Sequence, residues 1–498
     1  MSRFEAIFCA LLFTLLFTPL SLISQEIHNH GVPEKLGVVS FPTSCAAGVQ
    51  QEFNRGVALL HSFAYSAAER AFLAVEHQDP QCAMAHWGIA MTHFHQLWEP
   101  HLAPAAIPIG ETEIRRGQAL RAGSERERRL IDALALIYQD ASSVPYATRA
   151  LQYERAMCNL AADNRKDTEA QVFCALALLA NASALDKSHA RQKKAAEMLE
   201  PLSRTHPQHP GISHYLIHAY DNAELAPRGL QAARAYSKIA PSAPHALHMP
   251  SHIFTRLGQW DDSIASNLAA RDAAHQQGDI GEELHAMDYL VYAYLQCGRD
   301  AEAAQVLQQL RSMSRLNAGD FKAGYAATAM PVRYAVERGK WADAAEMVAP
   351  VGAPPHIVAV AVWARGIGSA RTLHTEEADA EVEKLRSLEE QLVTAGNRYW
   401  ATQVEILRKE VMAWIAQAEK TPERASALMR QAADEEDAIE KLPVTPGPIL
   451  PAREQLGYLY LEQQQPCLAA KEFRAALVLA PLRRGSVDGL SHAAGRCR

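Results

Sequence analysis

From about residue 45 to the C terminus, apolar positions recur at spacings of three and four, with few β-branched runs. That is the period of helices that bury one face. The breaks between runs are short and carry Gly, Pro, Asn or Asp. Among others, the pattern predicts helices over Glu125–Gln139, Tyr146–Asp163, Asp167–Ala180 and Ser188–Ser203. Ahead of this, residues 25–44 are polar and contain Gly31, Pro33, Gly37 and Pro42, which predicts a flexible leader. A long apolar run fills residues 5–24, broken by Pro19 and trailing into Ser21 and Ser24. It reads as a signal peptide spanning residues 1–24 and cut near Ser24; the alternative is an uncleaved membrane anchor. The mature chain is therefore expected to be exported, periplasmic or extracellular, and off the membrane.

Length and charge narrow the classes. At 498 residues the chain exceeds what one hydrophobic core usually organises, so several domains or a repeat array are expected. Apolar content of 48% excludes a disordered chain. The formal charge of −7 offers no basic footprint for nucleic acid, and none is expected as a partner. Seven cysteines follow residue 24, with no C-x-x-C among them. In an exported chain Cys45 with Cys82, Cys158 with Cys174, and Cys467 with Cys497 are candidate disulfides, leaving Cys297. Buried free thiols are the alternative.

A repeat underlies the helical pattern. Gly56, Ala68, Phe72 and Pro80 share their spacing with Gly457, Ala469, Phe473 and Pro481, where Ala476 also fits. Leu257-Gly258-Gln259-Trp260, Cys297-Gly298-Arg299-Asp300 and Arg338-Gly339-Lys340-Trp341 look like turns between paired helices. These residues resemble the tetratricopeptide repeat, a 34-residue pair of antiparallel helices. The resemblance implies an all-α fold, a right-handed α-solenoid of antiparallel helix pairs, over residues 45–498. Clear repeats fall near 49–82, 210–243, 244–277, 284–317, 325–350 and 450–483. Residues 100–205 and 350–445 lack the signature and are expected as diverged helix pairs. The resemblance also implies a concave groove, lined by the first helix of each pair, that holds a peptide or protein.

Histidine is the compositional anomaly, because seven of 21 lie between His206 and His252. His214, His218 and Asp221 are spaced i, i+4, i+7, and His245, His248 and His252 i, i+3, i+7, so each set shares a helical face. In the repeat register they fall, with His285, Asp288 and Tyr292, on groove-facing positions of three successive first helices. His214, His218, His245, His248, His252, His285 and Asp288 are thus candidate ligands for one transition metal, zinc, copper or iron. Binding would weaken below about pH 6.5, where free imidazole protonates. His61, His95, Asp221, Tyr292 and Arg333 are expected to line the groove around them, with Arg333 and Glu337 as an ion pair. His86 and His93 read as structural, His206 and His209 as surface loop residues. Trp87, Phe94, Trp98 and Glu99 could wall the groove beside His95. No H-E-x-x-H, P-loop or nucleophile elbow occurs. The function read from this is an exported scaffold binding a peptide, protein or small ligand in a histidine-rich groove that can hold a metal. Two alternatives stand beside it: a metal-dependent enzyme or metal carrier, and a metal-free polar groove without cofactor.

Overall fold

The computed structural model describes residues 34–97, 102–120, 123–314 and 316–497. The signal-peptide expectation, and with it Trp98 and Glu99, lies outside the described residues. Among those described there are twenty-four α-helices, one short 3-10 turn and no strand. The all-α class and the repeat architecture are therefore as the sequence implies. Helix pairs stand at Gln50–His61/Tyr65–Gln78, Pro210–Tyr220/Ala226–Ile239, Ile280–Gln296/Asp300–Ser312 and Ala452–Glu462/Pro466–Leu479. The stretches without signature spacing are also helical, as at Tyr146–Asp163 and Thr168–Ala180. No helix among the described residues is long and apolar enough to cross a membrane.

Two aromatic keys hold the terminal repeats. An added Cβ on Gly56 would sit 2.8 Å from Phe72, and one on Gly88 2.3 Å from it. Phe473 is gripped in the same way by Gly457 (2.6 Å) and Gly489 (2.3 Å). Glycine is required because the ring fills the volume between helices that a side chain would occupy. Gly88→Ala is expected to cost about 1–3 kcal/mol by overpacking, measured as a drop in the denaturant midpoint. At the turns, Gly258, Gly298 and Gly339 take φ of 68°, 71° and 63°, the left-handed conformation that ends a helix without strain.

The array curls on itself. The helix Gln50–His61 meets the repeat at 210–239, where Tyr236 donates its hydroxyl proton to Ser62 Oγ at 3.1 Å. At the other end, the buried Arg483 reaches Glu337 (2.7 Å) and Glu454 (3.0 Å), tying the last hairpin to the middle of the chain. The leader expected to be flexible through residue 44 is packed from Lys35 onward. Val38 N donates to the Gln208 carbonyl at 2.8 Å, and Phe41 is fully buried against Phe53 and Trp87. One buried aromatic and a few backbone bonds are enough to anchor a polar stretch. Trp87 is accordingly core, not groove wall, and Phe94 packs edge-on against Tyr153.

Three disulfides join Cys45–Cys82, Cys158–Cys174 and Cys467–Cys497, and Cys297 is exposed with a free thiol. Of the remaining histidines, His86 and His93 pair with Glu113 (2.7 Å) and Glu69 (3.0 Å). His356 is buried against Trp400, and burial pushes its pKa down to about 4. The unfolded chain therefore takes up this proton first, below 6.5. The contribution of His356 to stability is full above 6.5 and lost as pH falls towards 4. His356→Phe is expected to flatten the stability loss between pH 7 and 4.5 by about 2–3 kcal/mol, read from denaturant titrations at each pH.

Candidate metal centre

Six histidines converge in the interior as two sets. His214, His218 and His245 form one, and His248, His252 and His285 the other; within each set the facing ring nitrogens lie inside 4.8 Å of one another. Local sequence explains the convergence. His214 and His218 stand one turn apart on Pro210–Tyr220, and His285 lies early on Ile280–Gln296. His245 and His248 ride on Pro244–His248, and His252 on Pro250–Arg256. Pro250 has no N–H to close the turn between those short helices. Met249 keeps helical angles (φ −53°, ψ −34°), so His252 continues the same face.

The protons decide what these rings can do. An oxygen of a carbonyl or carboxylate only accepts, so a ring nitrogen touching one must carry the hydrogen. His214 Nδ1 donates to the His61 carbonyl at 2.6 Å. His245 Nδ1 donates to Glu282 at 3.1 Å, and His252 Nδ1 to Asp221 at 2.8 Å. His248 Nδ1 donates to Asn267 Oδ1 at 2.6 Å, the Asn267 amide nitrogen being committed to the Ser263 carbonyl. In their neutral forms His214, His248 and His252 therefore keep Nε2 as an acceptor, and Tyr289 Oη lies 3.4 Å from that of His252. Yet Nε2 of His214 and His245 lie 3.2 Å apart, and Nε2 of His248 and His252 3.0 Å apart. Between neutral His248 and His252, whose Nδ1 atoms carry the hydrogens, neither Nε2 has a proton to share.

Near neutrality burial also keeps a proton off the contact between His248 and His252. Burial holds His214, His218, His248 and His285 well below the usual imidazole value, with like charge from neighbouring rings adding to it in each. Burial likewise takes His252 down to about 4, against the pull of Asp221. A cation at the focus of the Nε2 atoms relieves that contact. With metal–nitrogen bonds of about 2 Å, tetrahedral ligands stand roughly 3.3 Å apart. The donors are also oriented as metal-binding imidazoles usually are, each Nδ1–H fixed by an outer partner. Competition by protons, expected from free imidazole to begin near pH 6.5, is displaced towards lower pH by this burial.

The other sequence-derived candidates divide. Asp221 lies behind His252 and also pairs with Arg256 (2.9 Å) and Lys441 (3.0 Å), so it orients the His252 ring and its own oxygens are taken. Asp221→Asn is expected to weaken metal binding about 10–100-fold in a competition titration with a chromogenic chelator. Asp288, expected among the ligands, is turned to Arg333 (3.5 Å); burial raises its carboxyl to about 6 although Arg333 opposes the rise. Arg333 pairs there and with the Pro448 carbonyl (3.0 Å), while Glu337, its expected partner, goes to Arg483. Tyr292 is buried beneath Arg333 and Arg483. His95 stacks on Tyr65, and its Nε2 donates to the Thr92 carbonyl at 3.0 Å. His61 reaches the centre only through its carbonyl. Its ring joins Tyr215 (3.0 Å), Glu169 (2.9 Å) and His209 in a separate buried cluster, its ring nitrogens hydrogen-bonded and its ligand atoms also within 4.8 Å of one another. His209, read as a surface loop residue, is buried there because Glu169 needs a second donor.

Sequence reasoning missed Glu282, Asn267 and the segment that covers the centre. Glu282 stands three residues before His285, a signal that could have been used; Asn267 sits on a second helix and left none. The expected groove over the histidines is filled by the chain itself. Residues 438–451, with four prolines, cross this face. Lys441 binds Asp221, Tyr289 donates towards the Pro443 and Thr445 carbonyls (3.3 and 3.2 Å), and Arg333 holds Pro448. Beside this segment lies a cavity of about 120 Å³, with His218, Asn222, Lys441 and Pro443 in its wall.

No protein-family model matches the chain, and no curated protein does. Among solved structures, the APC/C hetero-tetramer Cut9-Hcn1 shares 11% identity over 92% of this chain and 78% of that one, with a TM-score of 0.37. The TPR domain of P58(IPK) shares 13% over 90% and 98%, with a TM-score of 0.23. The human IFIT1 dimer with m7Gppp-AAAA shares 12% over 79% and 89%, with a TM-score of 0.35. Likenesses this distant say nothing about function. Fold and site together define an all-α helical-repeat protein with tetratricopeptide-type hairpins around a buried histidine cluster.

Proposed function

We propose that this is an exported helical-repeat metalloprotein, holding zinc, copper or iron on its buried histidines and acting on, or carrying, small ligands. One observation carries the reading: two sets of three buried histidines bring their ring nitrogens within 4.8 Å of one another, and in the second the Nε2 atoms of His248 and His252 lie 3.0 Å apart while both Nδ1 atoms donate to outer partners. Imidazole is the ligand these three metals have in common. The covering segment favours a small ligand over an extended peptide at this place, since the cavity beside His218 has the volume of a few water molecules. A protein partner would dock on the outer helices. Export fits the three disulfides, which persist in oxidising compartments.

Elemental analysis of the purified chain tests the reading. At least one tightly held ion per chain supports it; a chain that remains metal-free at neutral pH after exposure to each metal overturns it. A mature N terminus near Gln25 in the envelope fraction or medium tests export; only full-length chain in the cytoplasm overturns that part.

A further inference from the structure

We infer that the two histidine sets work as one dinuclear centre, whose ions share a small bridging anion of the hydroxide or azide class admitted through the cavity at His218. The inference rests on the metal reading above and extends it from an ion to a pair.

Each set offers three imidazole donors of its own. Three imidazole donors facing one point are what a reactive site offers, a full site needing at least one more ligand. The two sets also abut. The rings of His218 and His252 lie 6.1 Å apart, as do those of His245 and His248, across the divide. Within the second set His252 and His285 are 6.3 Å apart. The divide is thus no wider than a set itself, and paired ions that act together need such adjacency, roughly 3.5–4 Å between metals.

Charge then calls for an anion. Six imidazoles bring no negative charge. The carboxylates nearest them are already balanced: Asp221 by Arg256 and Lys441, Glu282 by Lys322 at 2.6 Å, and Asp288 by Arg333. Two dications in this interior would be left without counter-charge, at a cost too high for a buried site. A shared anion supplies the charge and the missing ligand of both ions at once. Its route is visible, because His218 is 8% exposed and lines the cavity beside Lys441, whereas His214, His248 and His285 are fully buried.

Chelator-stripped full chain, titrated with copper(II) and dialysed, tests the pair. Copper is counted above a His218→Ala/His252→Ala blank, which lacks one donor in each set. Two ions per chain are expected, with an electron paramagnetic resonance signal well below that of two isolated copper(II) ions. Azide is expected to change the absorption spectrum. His248→Ala, or His285→Ala should the first not fold by circular dichroism, is expected to hold one copper with full signal. One ion per wild-type chain, or two with full uncoupled signal, overturns the pair and leaves the metal reading standing. No copper, zinc or iron bound overturns both.

Discussion

His218→Ala/His252→Ala is expected to leave a folded, fully helical chain that retains no tightly held metal. Each substitution removes one of three imidazoles from its set, and two nitrogen donors hold a first-row ion far more weakly than three. The fold has little reason to fail. Asp221, released by His252, keeps its contacts with Arg256 and Lys441, and no charge is stranded. His218 has His214 Nε2 at 3.1 Å, packs beside Phe63 and His252, and borders a cavity, so its loss enlarges existing space. Metal that binds only the native state at a thousand times its dissociation constant adds about 4 kcal/mol, so a metal-dependent rise in Tm is expected for wild type alone. Mass-spectrometric metal content and far-ultraviolet circular dichroism read both halves. Metal retained by the double variant would place the site elsewhere.

Reduction of the disulfides is expected to have the largest effect on stability. The bridged residues are 37, 16 and 30 apart. In the chain-entropy account, closing loops of this size is worth about 3–4 kcal/mol each, so together about 10 kcal/mol. That is comparable to the whole stability of an ordinary domain, about 5–15 kcal/mol. Two of the bridges clamp the end repeats: Cys45–Cys82 ties residue 45 to the loop after Tyr65–Gln78, and Cys467–Cys497 closes the C-terminal helix onto Pro466–Leu479. Fraying is therefore expected to begin at the ends. Thermal melts with and without reductant measure the loss. Reduced and oxidised protein melting within a few degrees of each other would show the bridges to be dispensable.

The two expectations connect site to compartment. The helix Gln50–His61, which begins five residues after Cys45, ends in the carbonyl that fixes the proton of His214. Loosening the N-terminal repeat therefore loosens the first histidine set, and reduction is expected to lower metal retention along with stability.

The sequence by itself determined the helices, the repeat and the histidine faces. Its signals there are local: an i, i+4 spacing on Pro210–Tyr220 already puts His214 and His218 together, and Gly56 with Phe72 already marks a close helix crossing. Such features depend on helix geometry and on neighbours within one repeat. Tertiary structure alone decided the rest. That Asp288 turns to Arg333, that Arg483 takes Glu337 from Arg333, and that His209 shares Glu169 with His61 are contests among partners distant in the chain, settled by which pairing leaves no buried charge alone. The division of six histidines into two sets depends on how adjacent hairpins stack, which no spacing within a helix contains. Residues 438–451 lie mostly in the stretch expected as diverged helix pairs; only the curl of the array brings that segment across the histidines, covering an expected open groove and leaving a cavity beside His218.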